Sequence, residues 1–578
     1  MSLNEFMKKA LVLKPQSFEK KLKVALLSSF TVKGLLETIS VKCSDLNIGC
    51  TTFEGGYNQY SQDILDSDSN YHKFNADLTY LAIDTRTLLG ELFFSPYKIS
   101  EKERRIFIEK KINDINNLIK TCQLHSNSKI IIFNCKLPTY SPYGINETKQ
   151  KYGLHEMIYD FNCKLSKLSS NNPSIFIYDF QGFVSKFGEK NIFDYRQFFY
   201  GDIQIKFEYI PQLADELIAY VIPIFGLNRK CIVLDLDNTL WGGIIGEDNF
   251  SGIKLGSKYP GNTFVEFQHH LLALHNRGII LAINSKNNFE DAFKVIREHP
   301  DMILREKNFA CIKINWQDKV SNLKEIAKEI NIGLDSLVFF DDDPVNCEFV
   351  KKALPMVKTI NLPKDPSFYS QILMSIPDFN LYQITKEDEL RGKMYYEEHQ
   401  RNDLKNQVTS LDEFLNELDI KIKIREANDF TIPRISQLTL KTNQFNLTTN
   451  RYQEEQIKEF KENKNFLVVS AEVQDKFGDN GITGSFIIKK INSKIWEIDT
   501  FLLSCRVMGR KVEETMMSYI INKAKEECIE KIYGKYIPTQ KNQPCSNFLN
   551  DFGFEKYEDK WIYSTEKPFK FPKNTELI

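Results

Sequence analysis

Two aspartates, Asp235 and Asp237, stand at the end of the apolar run Cys231-Ile-Val-Leu-Asp-Leu-Asp-Asn-Thr-Leu-Trp241, and a hydroxyl, Thr239, follows two residues later. A hydrophobic strand that carries carboxylates to its carboxyl end puts them where open α/β sheets place their chemistry. Just past the strand the backbone curls, so both side chains can face one cleft. The first is suited to attack a phosphorus atom, and the second to pass protons to and from the leaving oxygen. Carboxylates this close repel one another, so the pair calls for a divalent cation to keep the first ionised. The competing reading is an ordinary strand end capped by turn-forming Asp and Asn.

The elements that must position such a site follow in order. Gly278-Ile-Ile-Leu-Ala-Ile-Asn-Ser285 reads as a second buried strand after a helical stretch at 264–277. A helix is expected over 289–298, an apolar strand over 309–314, and a helix opening at Lys319 and running to 330. Ser336-Leu-Val-Phe-Phe-Asp-Asp-Asp343 is a third strand ending in acid. Strands alternating with helices of this length imply parallel βαβ units. Their carboxyl ends lie together, so Asp235, Asp237, Ser285 and Asp342 should converge, within reach of Lys319. Asp343 precedes Pro344 and is expected to be a turn residue.

This order resembles the haloacid dehalogenase (HAD) superfamily of aspartate-nucleophile phosphotransferases. The resemblance implies that Asp235 attacks phosphorus and also holds Mg²⁺. Asp237 would be the general acid/base and give the metal its backbone carbonyl. Thr239, Ser285 and Lys319 would serve the substrate, with Ser285 and Lys319 on phosphate oxygens, and Asp342 would complete the metal site with Asp341 in support. A hard cation suits carboxylates plus substrate oxygen, and a lysine neutralises charge that develops on the transferring group.

The stretches Leu240-Trp-Gly-Gly-Ile-Ile-Gly-Glu-Asp248, Glu298-His-Pro-Asp-Met302, Lys313-Ile-Asn-Trp316 and Phe339-Phe-Asp-Asp-Asp-Pro344 narrow the resemblance to the FkbH-like family, which it follows closely over about 230–363. It continues through Lys441-Thr-Asn-Gln-Phe-Asn-Leu-Thr448 and Ser504-Cys-Arg-Val-Met-Gly509. Some members strip phosphate from an activated glyceryl phosphate and load the glyceryl group onto a carrier-protein thiol; others act in surface-polysaccharide or secondary-metabolite pathways. Glyceryl-loading members often carry cysteine between the two motif aspartates. Leu236 stands there in this chain and cannot accept an acyl group, which excludes glyceryl transfer through that position. Cys505 remains as a thiol, read as a small buried hydrophobe in an apolar strand. Between 240 and 278 there is room for a glycine-rich flap at 241–252 and one helix but no cap domain, which in this superfamily implies large substrates or a lid lent by neighbouring domains.

Composition frames the rest. The chain has 578 residues, too many for one core, with 42% hydrophobic and 26% charged residues. A formal net charge of -1 gives no electrostatic ground for nucleic-acid or membrane binding. Eleven scattered cysteines without C-x-x-C spacing suit a reducing cytoplasm, and no long apolar run predicts membrane insertion.

The expected fold is α/β and multidomain, a capless Rossmann-like HAD core flanked by two further domains. Residues 1–225 carry strand-like runs at 24–30, 77–84, 129–134 and 174–179 and weakly resemble the SGNH-hydrolase fold, with Ser28 or Ser29 at the nucleophile position. The place for that family's Asp-x-x-His reads Asp194-Tyr-Arg-Gln197, so the domain is expected to be a silent docking module. The HAD-like domain spans 226–380, and a linker helix is expected within 381–411. Residues 412–578, with an expected antiparallel sheet and the loop Arg506-Val-Met-Gly-Arg-Lys511, resemble the GNAT acyltransferase fold. That resemblance implies that Arg506, Gly509 and Arg510 hold the pyrophosphate of coenzyme A, or the end of a phosphopantetheine arm, at a helix amino terminus. Lys511 stands where that loop has glycine. The polar stretches 441–446 and 477–481 are expected to line the arm's channel.

The expected activity is that of a Mg²⁺-dependent phosphatase or phosphotransferase working through an aspartyl-phosphate. Its substrate would be a phosphorylated small molecule, glycan or carrier-bound intermediate in polyketide, secondary-metabolite or surface-glycan biosynthesis, with an acyl carrier protein as partner. The alternatives are glyceryl transfer from 1,3-bisphosphoglycerate to a carrier protein, and a non-catalytic docking scaffold.

Overall fold

A computed structural model of the chain describes residues 1–385, 397, 401, 404, 408, 410–569, 572 and 575–577. The linker helix expected within 381–411 falls largely outside them. The chain divides into two compact units, Met1–Ile224 and Phe225–Ile578.

In the first unit β1 (Lys20–Ser28), β2 (Ile48–Glu54), β3 (Leu78–Ala82), β4 (Lys129–Phe133) and β5 (Ile175–Tyr178) form a parallel sheet in the order β2-β1-β3-β4-β5. β3 is buried along its whole length, as a strand covered on both faces must be. The helix Glu101–His125 starts at a capping box of Ser100 and Glu103 and buries Ile108, Ile112, Ile115 and Ile119, one helical face. Ser29 is buried and donates to the Asp84 carboxylate at 3.0 Å, while Ser28 donates to the Phe30 carbonyl. Asp194 caps the helix Tyr195–Gly201 by accepting from the amides of Arg196 and Gln197. Both serines and Asp194 therefore serve local backbone and side-chain geometry.

The second unit opens with another parallel sheet: β6 (Cys231–Leu234), β7 (Ile280–Ser285), β8 (Phe309–Ile314), β9 (Leu337–Asp341) and the edge strand β10 (Lys358–Asn361), in the order β10-β9-β6-β7-β8. β6 is central and wholly buried. Crossovers carry the helices Gly261–Asn276, Phe289–Glu298 and Lys319–Glu329 between its strands. Only the short helix Ile245–Gly252, bent at Asn249, stands between the two aspartates and the first crossover helix.

The same unit continues into a larger, mixed sheet. β11 (Ile420–Glu426), β13 (Phe466–Asp475), β14 (Gly478–Asn492) and β15 (Ile495–Leu503) pair antiparallel. The sequence implies an antiparallel sheet, but two of the pairings are parallel. β15 pairs parallel with β16 (Lys531–Gly534) across the helix Val512–Glu526, and β11 pairs parallel with β19 (Thr575–Leu577). A helical crossover between neighbouring strands requires the parallel sense. β15 and β16 pair only over Ile495–Glu497, and beyond that the two-residue strand β12 (Phe445–Asn446) lies against β15. β17 (Glu555–Tyr557) and β18 (Lys560–Ser564) close the far edge. Cys505 is a half-buried residue of the turn Cys505–Val507 that follows β15, and so is not the strand residue read from its apolar neighbours.

Candidate active site

The carboxyl ends of β6 and β9 bring three carboxylates together. One oxygen each of Asp235, Asp341 and Asp342 lie within 4.8 Å of one another. The chain reverses directly after β6: Asn238 takes a left-handed conformation at φ 52°, its carbonyl accepts from the Tyr369 hydroxyl at 2.8 Å, and its side chain accepts from the Gly243 amide. Tyr369, at the start of the helix Tyr369–Met374, was not singled out in the sequence, because nothing local distinguishes it from a core tyrosine.

Lys319 crosses beneath the carboxylates. Its helix is capped by Asp318, which fixes the first turn, and the side chain is 2% exposed. The ammonium lies 2.6 Å from Asp235, 3.2 Å from Asp341 and 2.6 Å from the carbonyl of Asn284. Three acceptors around three N–H donors satisfy it fully. Burial alone would lower its pKa, but the charges of Asp235 and Asp341 outweigh that and raise it, so Lys319 stays cationic.

Asp237 is held from three directions. Oδ1 accepts from the Trp241 indole at 2.8 Å and from the Ile245 amide at 3.1 Å, and Oδ2 accepts from Asn287 at 3.0 Å. Burial raises its pKa; these hydrogen bonds oppose the rise and the charge of Asp235 adds to it. A carboxyl poised above the usual range while its orientation is fixed suits a group that must both give and take a proton. Trp241 is fully buried, so it packs in the core and aims Asp237 and does not shape an entrance. Trp241→Phe keeps most of the packing and removes the indole donor. The expected result is a fall in kcat of about one to two orders of magnitude with Mg²⁺ affinity retained, read from initial rates and from metal titration.

The structure also places the remaining candidates. Ser285 ends β7, buried, with its hydroxyl accepting from Asn287 at 3.2 Å. Asn287 thus links Ser285 to Asp237. Thr239 is wholly buried and its hydroxyl has no partner among the described residues. Leu236 points into the core, fully buried. Asp343 caps the helix Pro344–Ala353, and its amide donates to Asp341 at 2.8 Å.

A divalent cation fits the cluster on the chemistry of the donors. Burial first, and then the charges of Asp235 and Asp341, push the Asp342 carboxyl up to about 7, and burial likewise raises Asp341 despite Lys319. Three acids sharing one corner with a single lysine leave excess negative charge that a hard cation would neutralise. Raised folded-state pKa values mean that these groups contribute most to stability at acid pH, and that the contribution is lost as pH rises through about 7. A divalent cation bound there would have to displace the Asp342 proton below that point. Its affinity should therefore weaken about tenfold per pH unit below about 7, and the thermal stabilisation it confers should be larger at about pH 8 than at about pH 6. Calorimetry at both values checks this.

The loop 506–511 offers a poorer fit to a pyrophosphate. The Gly509 amide, at φ 73°, donates to the Glu513 carboxylate at 3.2 Å. Arg510 is buried, with its guanidinium 3.5 Å from Asp475, which also takes Arg401 at 2.7 Å. Lys511 pairs with Glu514 at 2.6 Å. An anion would have to displace one carboxylate and draw Arg510 out of a buried pair. Arg506 instead faces a separate cavity, together with the 441–444 stretch. The 477–481 stretch forms the β13–β14 hairpin and does not line it.

No described helix is long and apolar enough to cross a membrane. Residues 23–222 match the family model described as FkbH, N-terminal domain. No curated protein matches the chain. Among solved structures, the chain is similar to the N-terminal part of a Bacteroides fragilis protein that contains a phosphatase domain and is complexed with Mg. The identity is 29% and the TM-score 0.61, over 66% of this chain and 100% of that one. Similarity to a GNAT family acetyltransferase from Elizabethkingia anophelis with acetyl-CoA bound spans 24% of this chain and 78% of that one, at 16% identity and a TM-score of 0.19. The chain thus combines a segment that matches the FkbH N-terminal domain with a parallel sheet whose carboxylates converge, and it is similar over two-thirds of its length to a phosphatase-domain protein.

Proposed function

We propose that the protein is a Mg²⁺-dependent phosphatase of the FkbH-like type, working through a phosphorylated Asp235. The observation that carries this reading is the convergence of Asp235, Asp341 and Asp342 around the buried ammonium of Lys319, with Asp237 held apart by three donors. The Mg in the similar Bacteroides fragilis protein supports it.

Asp235, Asp341 and Asp342 would hold the metal, which supplies charge neutralisation for the phosphoryl group. With one Asp235 oxygen on Lys319, the other attacks phosphorus. The bond from phosphorus to the leaving oxygen breaks as Asp237 protonates that oxygen. Asp237, now ionised, takes a proton from water, whose oxygen attacks the phosphoaspartate; phosphate leaves and the Asp235 carboxylate is restored. Ser285 would bind a phosphoryl oxygen, and the charge of Lys319, held against Asp235, would offset the negative charge that shifts onto the transferring group.

The substrate class we infer is a phosphorylated glycan or carrier-bound intermediate of a biosynthetic pathway, because a single short helix, Ile245–Gly252, leaves no cap to enclose a small molecule. Glyceryl transfer through position 236 is not part of this reading, since Leu236 carries no nucleophile and is buried. Residues 1–225 and 412–578 would act as flanking modules for docking.

The test is phosphate release from a panel of phosphate monoesters and acyl phosphates, with Mg²⁺ and with EDTA, followed by acid quenching and peptide mass analysis. Metal-dependent release with one phosphoryl group on the peptide holding Asp235 is the expected result. Release that is undiminished in EDTA would overturn the mechanism.

A further inference from the structure

A second cavity, of about 370 Å³, lies in the Phe225–Ile578 unit between the amino-terminal edge of the parallel sheet and the mixed sheet. Its size falls within the roughly 300–1,000 Å³ of small-ligand sites. Lys230 immediately precedes β6, whereas Asp235 immediately follows it. At about 3.3 Å per strand residue the two are roughly 16 Å apart, so this cavity opens at the opposite end of the strand from the three carboxylates.

The charged side chains of its lining are already engaged. Lys541 pairs with Asp335, and Lys230, Arg434, Lys441 and Arg506 each have partners in the protein. A charged ligand would have to part them or lie without a counter-charge, which burial makes costly. What the walls hold unspent is neutral. The hydroxyls of Ser336 and Thr442 have no partner among the described residues; both residues are 8% exposed, yet neither oxygen is sealed off. The side-chain amides of Gln444 and Gln540 are likewise unpaired among the described residues. Asn443 is half spent: its side-chain oxygen accepts from Arg451 at 2.5 Å, and because a guanidinium can only donate, the amide nitrogen is turned the other way with its N–H groups unused. Arg451 also donates to the Thr442 carbonyl at 3.0 Å, which fixes the stretch that presents Thr442, Asn443 and Gln444. Ser336 stands on the opposite wall, one residue before β9. Asn331 donates to the Cys505 carbonyl at 2.7 Å, and this bond and the Lys541 pair tie the two walls together.

We propose that this cavity binds a neutral, polyhydroxylated compound of the sugar type, as a second ligand site distinct from the phosphotransfer site. Amides and hydroxyls together offer both donors and acceptors, and a ligand hydroxyl, which donates and accepts at once, answers both. Ile332 and Leu438 supply the apolar wall that ring C–H groups need. The inference does not depend on the reading of Asp235 as a nucleophile, and it is tested where that site is silenced.

Cys505 lines the same cavity and reports on its occupancy. Alkylation by iodoacetamide would be followed by peptide mass analysis in metal-free Asp235→Asn protein. The probes are glucose, galactose, mannose, N-acetylglucosamine and maltose, with inorganic pyrophosphate as the anionic counter-probe. Cys163 and Cys528, both exposed, serve as internal controls for viscosity and reagent. The expected result is that at least one sugar slows labelling of Cys505 saturably, about tenfold at ten times its Kd, while the two controls are unaffected and pyrophosphate gives no protection. Thr442→Val and Gln444→Leu each remove one neutral partner and should each raise that Kd about fivefold. Labelling of Cys505 unchanged by every sugar, slowing shared equally by the two controls, or a Kd unchanged in both variants would each overturn the proposal. Protection by pyrophosphate equal to or greater than that by any sugar would make the cavity an anion site and overturn it as well. The wild-type cavity residues suffice for all but the variant outcome, so failure of a variant to fold does not rescue it.

Discussion

Asp235→Asn is expected to lower phosphate release by about four orders of magnitude or more, the scale seen when the nucleophile of a concerted group is removed. The amide keeps the size and shape of the carboxylate but cannot attack phosphorus. It also removes one of three negative charges, so Mg²⁺ binding should weaken as well. Stability should change little. Lys319 retains Asp341 at 3.2 Å and the Asn284 carbonyl at 2.6 Å, and an amide oxygen can still accept from it. Relief of repulsion with Asp342 offsets part of what is lost. The check pairs initial rates with thermal unfolding. A variant that unfolds at the wild-type temperature but releases no phosphate supports the assignment; one that turns over at a tenth of the wild-type rate would remove Asp235 from the nucleophile's role.

The parallel sheet was legible because its strands are continuous apolar runs, which only burial on both faces explains. Helices 289–298 and 319–330 were legible from their periodicity, and the latter ends within one residue of the structural Lys319–Glu329. Strand ends also told where side chains would meet, since parallel strands share a direction. What escaped were features made by distant contacts. β12 is two residues long and exists only because β15 and β16 diverge. The parallel sense of β15 and β16 follows from the crossover helix, which the run of β-branched residues does not encode. β2 lacks a continuous apolar run, because Ile48–Glu54 is an edge strand whose second half is largely exposed. In the site, nothing local in the sequence marks Asn287 or Tyr369, since each reaches a partner 50 or 131 residues away. Cys505 was misplaced for a related reason. Its apolar neighbours belong to β15, but the chain leaves the sheet after Ser504, whose amide still bonds to the Thr483 carbonyl in register with β14.

Lys319→Ala should be strongly destabilising, with Lys319 on a helix that packs against the parallel sheet. The lysine is 2% exposed and is the cation shared by Asp235 and Asp341, the latter with no exposure at all. Removing one partner of a buried ion pair leaves the other uncompensated, at a cost of about 3–5 kcal/mol. The variant can escape part of that cost by protonating Asp341, whose pKa burial already raises. That escape requires protons, so the sign of the pH dependence is fixed. A carboxyl with a raised folded pKa stabilises the fold at acid pH and ceases to do so as pH rises through that pKa. The loss relative to wild type should therefore be smaller at about pH 6 than at about pH 8. Lys319 itself adds no dependence over this range, because its own pKa is raised and it stays charged throughout. Mg²⁺ should restore part of the stability, since a cation held by the same carboxylates replaces the missing charge, but it should not restore turnover, which needs the ammonium beside the attacking carboxylate. Urea unfolding in EDTA and in Mg²⁺ at both pH values separates these effects. A loss that is independent of pH and of metal would mean that Lys319 stabilises through packing alone, and the electrostatic account of the site would fail with it.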